Sequence, residues 1–212
     1  MDDEQAWLKY PQYRKYFNKL WVAEQQRFLC GPAGIKIPQT GWYISRPIYN
    51  IRGMGIGAEK VYLAQGDYST VPPGHFWCQW FDGNHVSVTF DASNSDWKAI
   101  SAYRGHRNSS NPLYRFDYWT RLDHEAIVWQ IPDFLWEIED VPRLNIEMIN
   151  GNIIEVHLRD TPDPQFDEII PAWSNQLEAG YYNNLTTTHK FIPDYDSGDG
   201  WISNPRVGFF VR

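Results

Sequence analysis

The spacing of apolar positions changes near residue 36. Before it, Ala6, Leu8, Tyr16, Leu20, Val22 and Phe28 recur loosely at helical intervals. This predicts helix over the first thirty residues, interrupted at Pro11, which lacks an N–H and crowds the preceding turn. From Lys36 onward, short aromatic or β-branched runs alternate with Gly, Pro and Asn. GWYISRPIY (41–49), EKVYLAQ (59–65), HFWCQWF (75–81), HVSVTFD (85–91) and WKAISAYRG (97–105) read as strands, and NSSNP (108–112) as a loop. Helix is predicted around LYRFDYWTRLD (113–123) and in TPDPQFDEIIPAWSNQ (161–176), where Pro164 opens it and Pro171 ends it early. Between them, LNIEMINGNIIEVHLR (144–159) is a hairpin around Asn150-Gly151. The closing RVGFFVR reads as a strand. The pattern as a whole predicts one α+β unit of two lobes, jointed near Trp80 to Gly83.

Composition narrows the classes. A chain of 212 residues buries a core without disulfide or metal staples. Lys and Arg number 19 against 26 Asp and Glu, a net charge of −7, which argues against a DNA-coating or polybasic membrane role. No run approaches the about 20 apolar residues of a membrane span, and the N-terminus lacks a basic segment followed by an apolar one. Cys30 and Cys78 lack metal-ligand spacing, so a reduced cytoplasm is the default compartment. The unusual feature is 11 Trp beside 13 Tyr and 11 Phe, which suits a β-rich core or a groove with stacking surfaces.

Two segments carry candidate chemistry. Arg52-Gly53-Met54-Gly55-Ile56-Gly57 is a glycine-rich turn flanked by strand signals on both sides. A Rossmann or Walker loop runs from strand into helix, so neither fits. A strand–glycine loop–strand flap can instead fold over a nucleotide and offer backbone N–H groups to its phosphates, with Arg46 and Arg52 near in sequence. The bland alternative is a hairpin that needs positive φ. The second segment places Asn145 and Glu147 on one strand of the hairpin and Glu155, His157 and Arg159 on the other. With a two-residue Asn150-Gly151 loop, Glu147 faces Ile154 and the two acids point to opposite faces. A three-residue loop with one bulge sets Glu147 opposite Glu155 and Asn145 opposite His157, gathering all four on one face. Two facing carboxylates repel, so the second register makes sense with a bound cation. The bland reading is a solvent-facing polar row.

Taken in order, Ser45-Arg46-Pro47, Gly53-Met54-Gly55, Gln79-Trp80-Phe81-Asp82-Gly83, and Glu147 with Ile154-Glu155-Val156-His157-Leu158-Arg159 resemble the ATP-grasp superfamily over residues 40 to 160. The resemblance implies two α+β lobes with a nucleotide cleft between antiparallel sheets. It divides the chain into an N-terminal helical segment (1–35), a glycine-flap lobe (36–82) and a metal-hairpin lobe (83–212). It further implies ATP and Mg2+ as cofactors, with Arg46, Arg52, Gly53, Met54, Gly55, Gln79, Trp80 and Phe81 binding the nucleotide. Glu147, Glu155 and His157 take the metal. Arg159 steadies the transferred phosphoryl group, and Arg104, Arg107 and Arg121 are further candidates for holding an acidic substrate. The chain departs from the family pattern at several points. Arg46 stands where many members carry Lys, Trp80 replaces an acidic residue, His157 replaces a metal-binding Asn, and the usual N-terminal substrate domain is expected to be missing or reduced to a helix or two.

The function implied is an ATP- and Mg-dependent ligase joining a small-molecule or peptide carboxylate to an amine (or thiol) through an acyl phosphate. Such a trimmed, stand-alone ligase fits a cytoplasmic setting, or the host cytoplasm for a viral protein. Nucleic acid and membrane are not its expected partners. Two other readings stand beside it: a non-catalytic binding or structural protein on the same scaffold, and an aromatic-lined β protein that binds carbohydrate or nucleic acid. The latter leaves the glycine turn and the paired acids unexplained.

Overall fold

The computed structural model describes residues 1–49, 51, 55–68, 70–93, 97–126, 131–194 and 204–212. Three short helical pieces open the chain. Helix α1 (Asp3–Lys9) starts at a capping box, in which Gln5 N–H donates to Asp2 Oδ1 (2.7 Å) and Asp2 N–H donates to Gln5 Oε1 (3.0 Å). A 3-10 stretch follows from Pro11 to Phe17. Helix α2 (Lys19–Gln25) is then capped by Asn18, whose side chain accepts from Trp21 N–H. Pieces of seven residues are not stable alone; their buried faces hold them against the sheets.

Among the described residues every strand pairing is antiparallel. Strands β1 (Cys30–Pro32), β2 (Gly41–Pro47), β3 (Glu59–Leu63) and β4 (His75–Gln79) form a four-stranded sheet in the order β1-β4-β2-β3. The chain then crosses at residues 80–84 into an eight-stranded sheet. Its strands are β5 (His85–Asp91), β6 (Lys98–His106), β7 (Tyr118–Arg121), β8 (Arg143–Ile149), β9 (Asn152–His157), β10 (Glu168–Trp173), β11 (Lys190–Pro193) and β12 (Arg206–Val211), in the order β11-β12-β10-β7-β6-β5-β8-β9. A short helix α3 (Ser174–Glu178) follows β10.

Alternation along these strands separates core from cleft. Val88, Ala102, Leu144, Ile146, Met148, Ile153 and Val156 are buried on one face of the large sheet, against Ala6, Tyr10, Tyr16, Phe17 and Val22 of the N-terminal segment. The opposite face carries Ser87, Asn145, Glu147, Glu155 and His157, the period-2 partners of that core.

Two predicted helices are strands. In 113–123 the Tyr118–Arg121 segment pairs with β6 on one side, and Trp119 and Thr120 pair with β10 on the other; aromatic and β-branched residues gain more from that non-local pairing than from a helical turn. In 161–176 residues 168–173 form β10, and only Ser174–Glu178 is helical. Pro171 sits inside the strand because β7 pairs only Glu168 and Ile169, so its missing N–H interrupts no ladder on that side. The hairpin also combines features of both expected registers. Its loop has two residues, Asn150 (φ +49) and Gly151 (φ +84), both left-handed as a type I′ turn requires. The bulge lies inside the strands instead of the turn: Met148 pairs with Ile153 and Glu147 with Glu155, leaving Ile154 extra.

Candidate functional site

That bulge decides the chemistry of the cleft, since without it Glu155 would face the apolar core. Ile154 has no partner residue across the hairpin, and its carbonyl accepts from Arg46 Nη2 (2.8 Å). The neighbouring edge is closed by Gln26, whose side chain donates to Ile153 O and accepts from Ile153 N–H, both at 2.9 Å. Helix α2 and strand β2 are thereby fastened along β9, and two basic side chains reach the acids. Lys19 Nζ lies 2.6 Å from Glu155 Oε1, with Arg46 Nη1 3.7 Å from the same oxygen.

The remaining groups form one connected network. Glu147 Oε2 is 3.0 Å from His85 Nε2, and His157 Nε2 lies between the two glutamates, 3.7 Å from Glu147 Oε1 and 3.5 Å from Glu155 Oε2. On its other side His157 Nδ1 meets Asp3 at 3.1 Å, and Arg159 Nη2 donates to Asp3 Oδ2 at 2.7 Å. Asp3, Lys19, Arg46, Glu155, His157 and Arg159 are all buried, while Glu147 is partly open. Burial pulls the His157 imidazole down most strongly, but the charge and hydrogen bonding of Asp3 together with the Glu147 carboxylate outweigh it and lift the group to about 9. Burial alone would raise Asp3 and Glu147. The charges of His157 and Arg159 hold Asp3 far below the carboxylate range, and the hydrogen bond with His85 together with the nearby His157 imidazole holds Glu147 well below it.

A cleft of about 1260 Å³ opens over this network, between the two sheets. Arg46, Gly55, Trp80, Phe81, Glu147, Glu155, His157 and Arg159 all line it. Trp80 donates from Nε1 to Asp82 (2.8 Å), and Phe81 packs edge-on to Phe28 at 4.7 Å between centroids. Gln79, Arg104 and Arg121, expected at the site, do not line it. The Gln79 side chain accepts from Leu29 N–H (2.8 Å), bracing the chain just ahead of β1, and Arg121 faces Asp167 at 3.9 Å. Arg52, Gly53 and Met54 lie outside the described residues.

Sequence reasoning missed Asp3, Lys19 and His85. Lys19 did leave a signal: it shares the buried face of α2 with Val22 and Ala23, an anomalous place for an ammonium without a partner. Asp3 likewise shares the buried face of α1 with Ala6.

The acid pair does not fit the divalent cation expected of it. Each of the four oxygens of Glu147 and Glu155 already faces a nitrogen of Lys19, His85 or His157. Among the described residues no three His, Cys, Asp or Glu side chains converge in a metal-holding geometry. A dication about 4 Å from the Lys19 ammonium would meet roughly 8 kcal/mol of repulsion at an effective dielectric near 20.

No protein-family model and no curated protein matches the sequence. Solved structures do. The chain is similar to N5-carboxyaminoimidazole synthetase from Staphylococcus aureus, with 7% identity and a TM-score of 0.52 over 92% of this chain and 66% of that one. The same enzyme complexed with ADP matches at 8% identity with the same TM-score and coverage. Carboxyaminoimidazole ribonucleotide synthase from Aspergillus clavatus, complexed with ATP, matches at 9% identity and a TM-score of 0.51, over 93% of this chain and 68% of that one. The chain thus spans about two thirds of the length of these structures. The fold is ATP-grasp: two antiparallel sheets with the cleft between them.

Proposed function

We propose that the protein binds an adenine nucleotide in this cleft and spends its γ-phosphoryl group on activating a carboxylate. The observation that carries the reading is the convergence of Arg46, the Trp80–Phe81 crossing and the buried Glu155–His157–Arg159 row on one cavity of an ATP-grasp fold. The ADP and ATP in the similar structures support the choice of nucleotide. Trp80 and Phe81 contact the adenine edge, and Arg46 and the backbone at Gly55 hold the phosphates. His157 and the Nη2 end of Arg159 hold the acid, a role supported by the carboxylate they already hold, that of Asp3. One oxygen of the substrate carboxylate attacks the γ-phosphorus, the bond to the bridging oxygen breaks and ADP leaves. An amine, or a thiol, then displaces inorganic phosphate from the acyl phosphate and loses its proton to solvent.

A second reading, a binding protein without turnover, is favoured by the same Asp3 and Lys19 contacts, which fill the acid and metal positions from within the chain. Calorimetry with ADP, then an ADP-release assay with ATP and mixed carboxylic acids and amines, separates the two. Binding with acid-dependent release supports the ligase; binding without release leaves the scaffold. Absence of binding at high protein concentration overturns the nucleotide cleft itself.

A further inference from the structure

Lys19 is not a mobile surface lysine that happened to meet an acid. Its backbone N–H donates to Ile48 O (3.0 Å), just past β2, and its helix is fastened to β9 through Gln26. The ammonium is therefore delivered to Glu155 by a segment anchored to both sheets. It is buried there, and Arg46 approaches the same oxygen. The imidazole of His157 lies between the two glutamates, where an ion bridging the pair would sit. Two donors in the same row remain unused: Arg46 Nε and Arg159 Nε are buried and have no hydrogen-bond partner among the described residues. Both arginines line the cleft. A buried guanidinium N–H left unpaired is costly, and a phosphate oxygen is the acceptor its planar fork fits best.

We infer that this centre meets nucleotide phosphates with its own ammonium and guanidinium groups and takes no divalent cation. The inference rests on the nucleotide reading above. The ligand class is a nucleoside di- or triphosphate free of metal, and Lys19 supplies the positive charge that a bound ion supplies elsewhere. Lys19 and Arg46 keep Glu155 neutralised, His85 and His157 face Glu147, and the free Nε–H groups donate to the incoming phosphates.

The test has two arms on the intact chain. In the first, ADP affinity is measured by calorimetry in EDTA and again with excess MgCl2. A Kd that changes less than fivefold supports the inference, and one that tightens fivefold or more with Mg2+ overturns it. In the second, Mn2+ is titrated into nucleotide-free protein and free Mn2+ is read by electron paramagnetic resonance. Wild type should take up no Mn2+ below millimolar concentration, whereas folded Lys19→Met, with Glu155 released, should gain a site that Lys19→Met/Glu155→Gln lacks. Wild-type uptake that Glu155→Gln abolishes overturns the inference, and this arm needs no variant with a vacated lysine. Failure to bind ADP under either condition would sink the nucleotide reading, while the Mn2+ arm would still decide whether the centre takes a cation.

Discussion

Asp3 and Arg159, 156 residues apart in sequence, form a buried ion pair of 2.7 Å that joins the first helix to the strand end beyond the hairpin. His157 completes a triangle with them, 3.1 Å from the same carboxylate. The first turn of α1 thus supplies the counter-charge of the row that floors the cleft.

Removing that counter-charge should be costly. Asp3→Asn leaves a guanidinium and an imidazole facing an amide in a buried site, and about 3 kcal/mol of stability should be lost. Urea unfolding of Asp3→Asn, Arg159→Met and the double variant closes a cycle. Coupling of at least about 1 kcal/mol is expected; additive losses would mean the pair contributes nothing.

Alkali should weaken the fold before it affects most lysines. His157 is raised from its ordinary value of 6.5 to about 9, so its contribution is complete below pH 6.5 and is lost as pH climbs through 9. The loss should amount to about 2–3 kcal/mol between pH 6.5 and 10. His157→Asn, less stable at neutral pH, should show a flatter profile over that range; parallel profiles would refute the assignment.

The two glutamates should behave differently on neutralisation. Glu155→Gln strands the buried Lys19 ammonium and should cost about 3 kcal/mol. Glu147 has 28% of its side-chain surface in water, so Glu147→Gln should cost roughly 1 kcal/mol. Equal thermal shifts for the pair would contradict the burial argument.

Gly55 is the first described residue after Ile51, with φ +60 and the Tyr114 Cα 4.0 Å from where a Cβ would point, an ordinary van der Waals contact. Gly55→Val should cost only about 1–2 kcal/mol, the backbone strain of an L-residue there. It should also abolish the melting-temperature rise caused by ADP. A variant that unfolds outright would show that the turn is part of the core and not a phosphate flap.

The apolar spacing along the chain determined most of the strands and the helical start, because alternation and turn residues are local properties. It also marked the Glu147–Glu155 row, since a carboxylate on each arm of an Asn-Gly hairpin is visible without coordinates. Residues 113–123 and 161–176 misled because their strand pairing is non-local: Trp119 meets Gly105 and Ile169, which no local window contains. The bulge at Ile154 likewise arises where β9 meets Arg46 and Gln26, far away in sequence. Only tertiary structure decided what neutralises the acids. Lys19 reaches the cleft because α2 packs along the β9 edge, and Asp3 because the start of α1 meets His157 and Arg159 at the end of β9; the sign of a buried charge's surroundings depends on what is near in space, not on what is near in the chain.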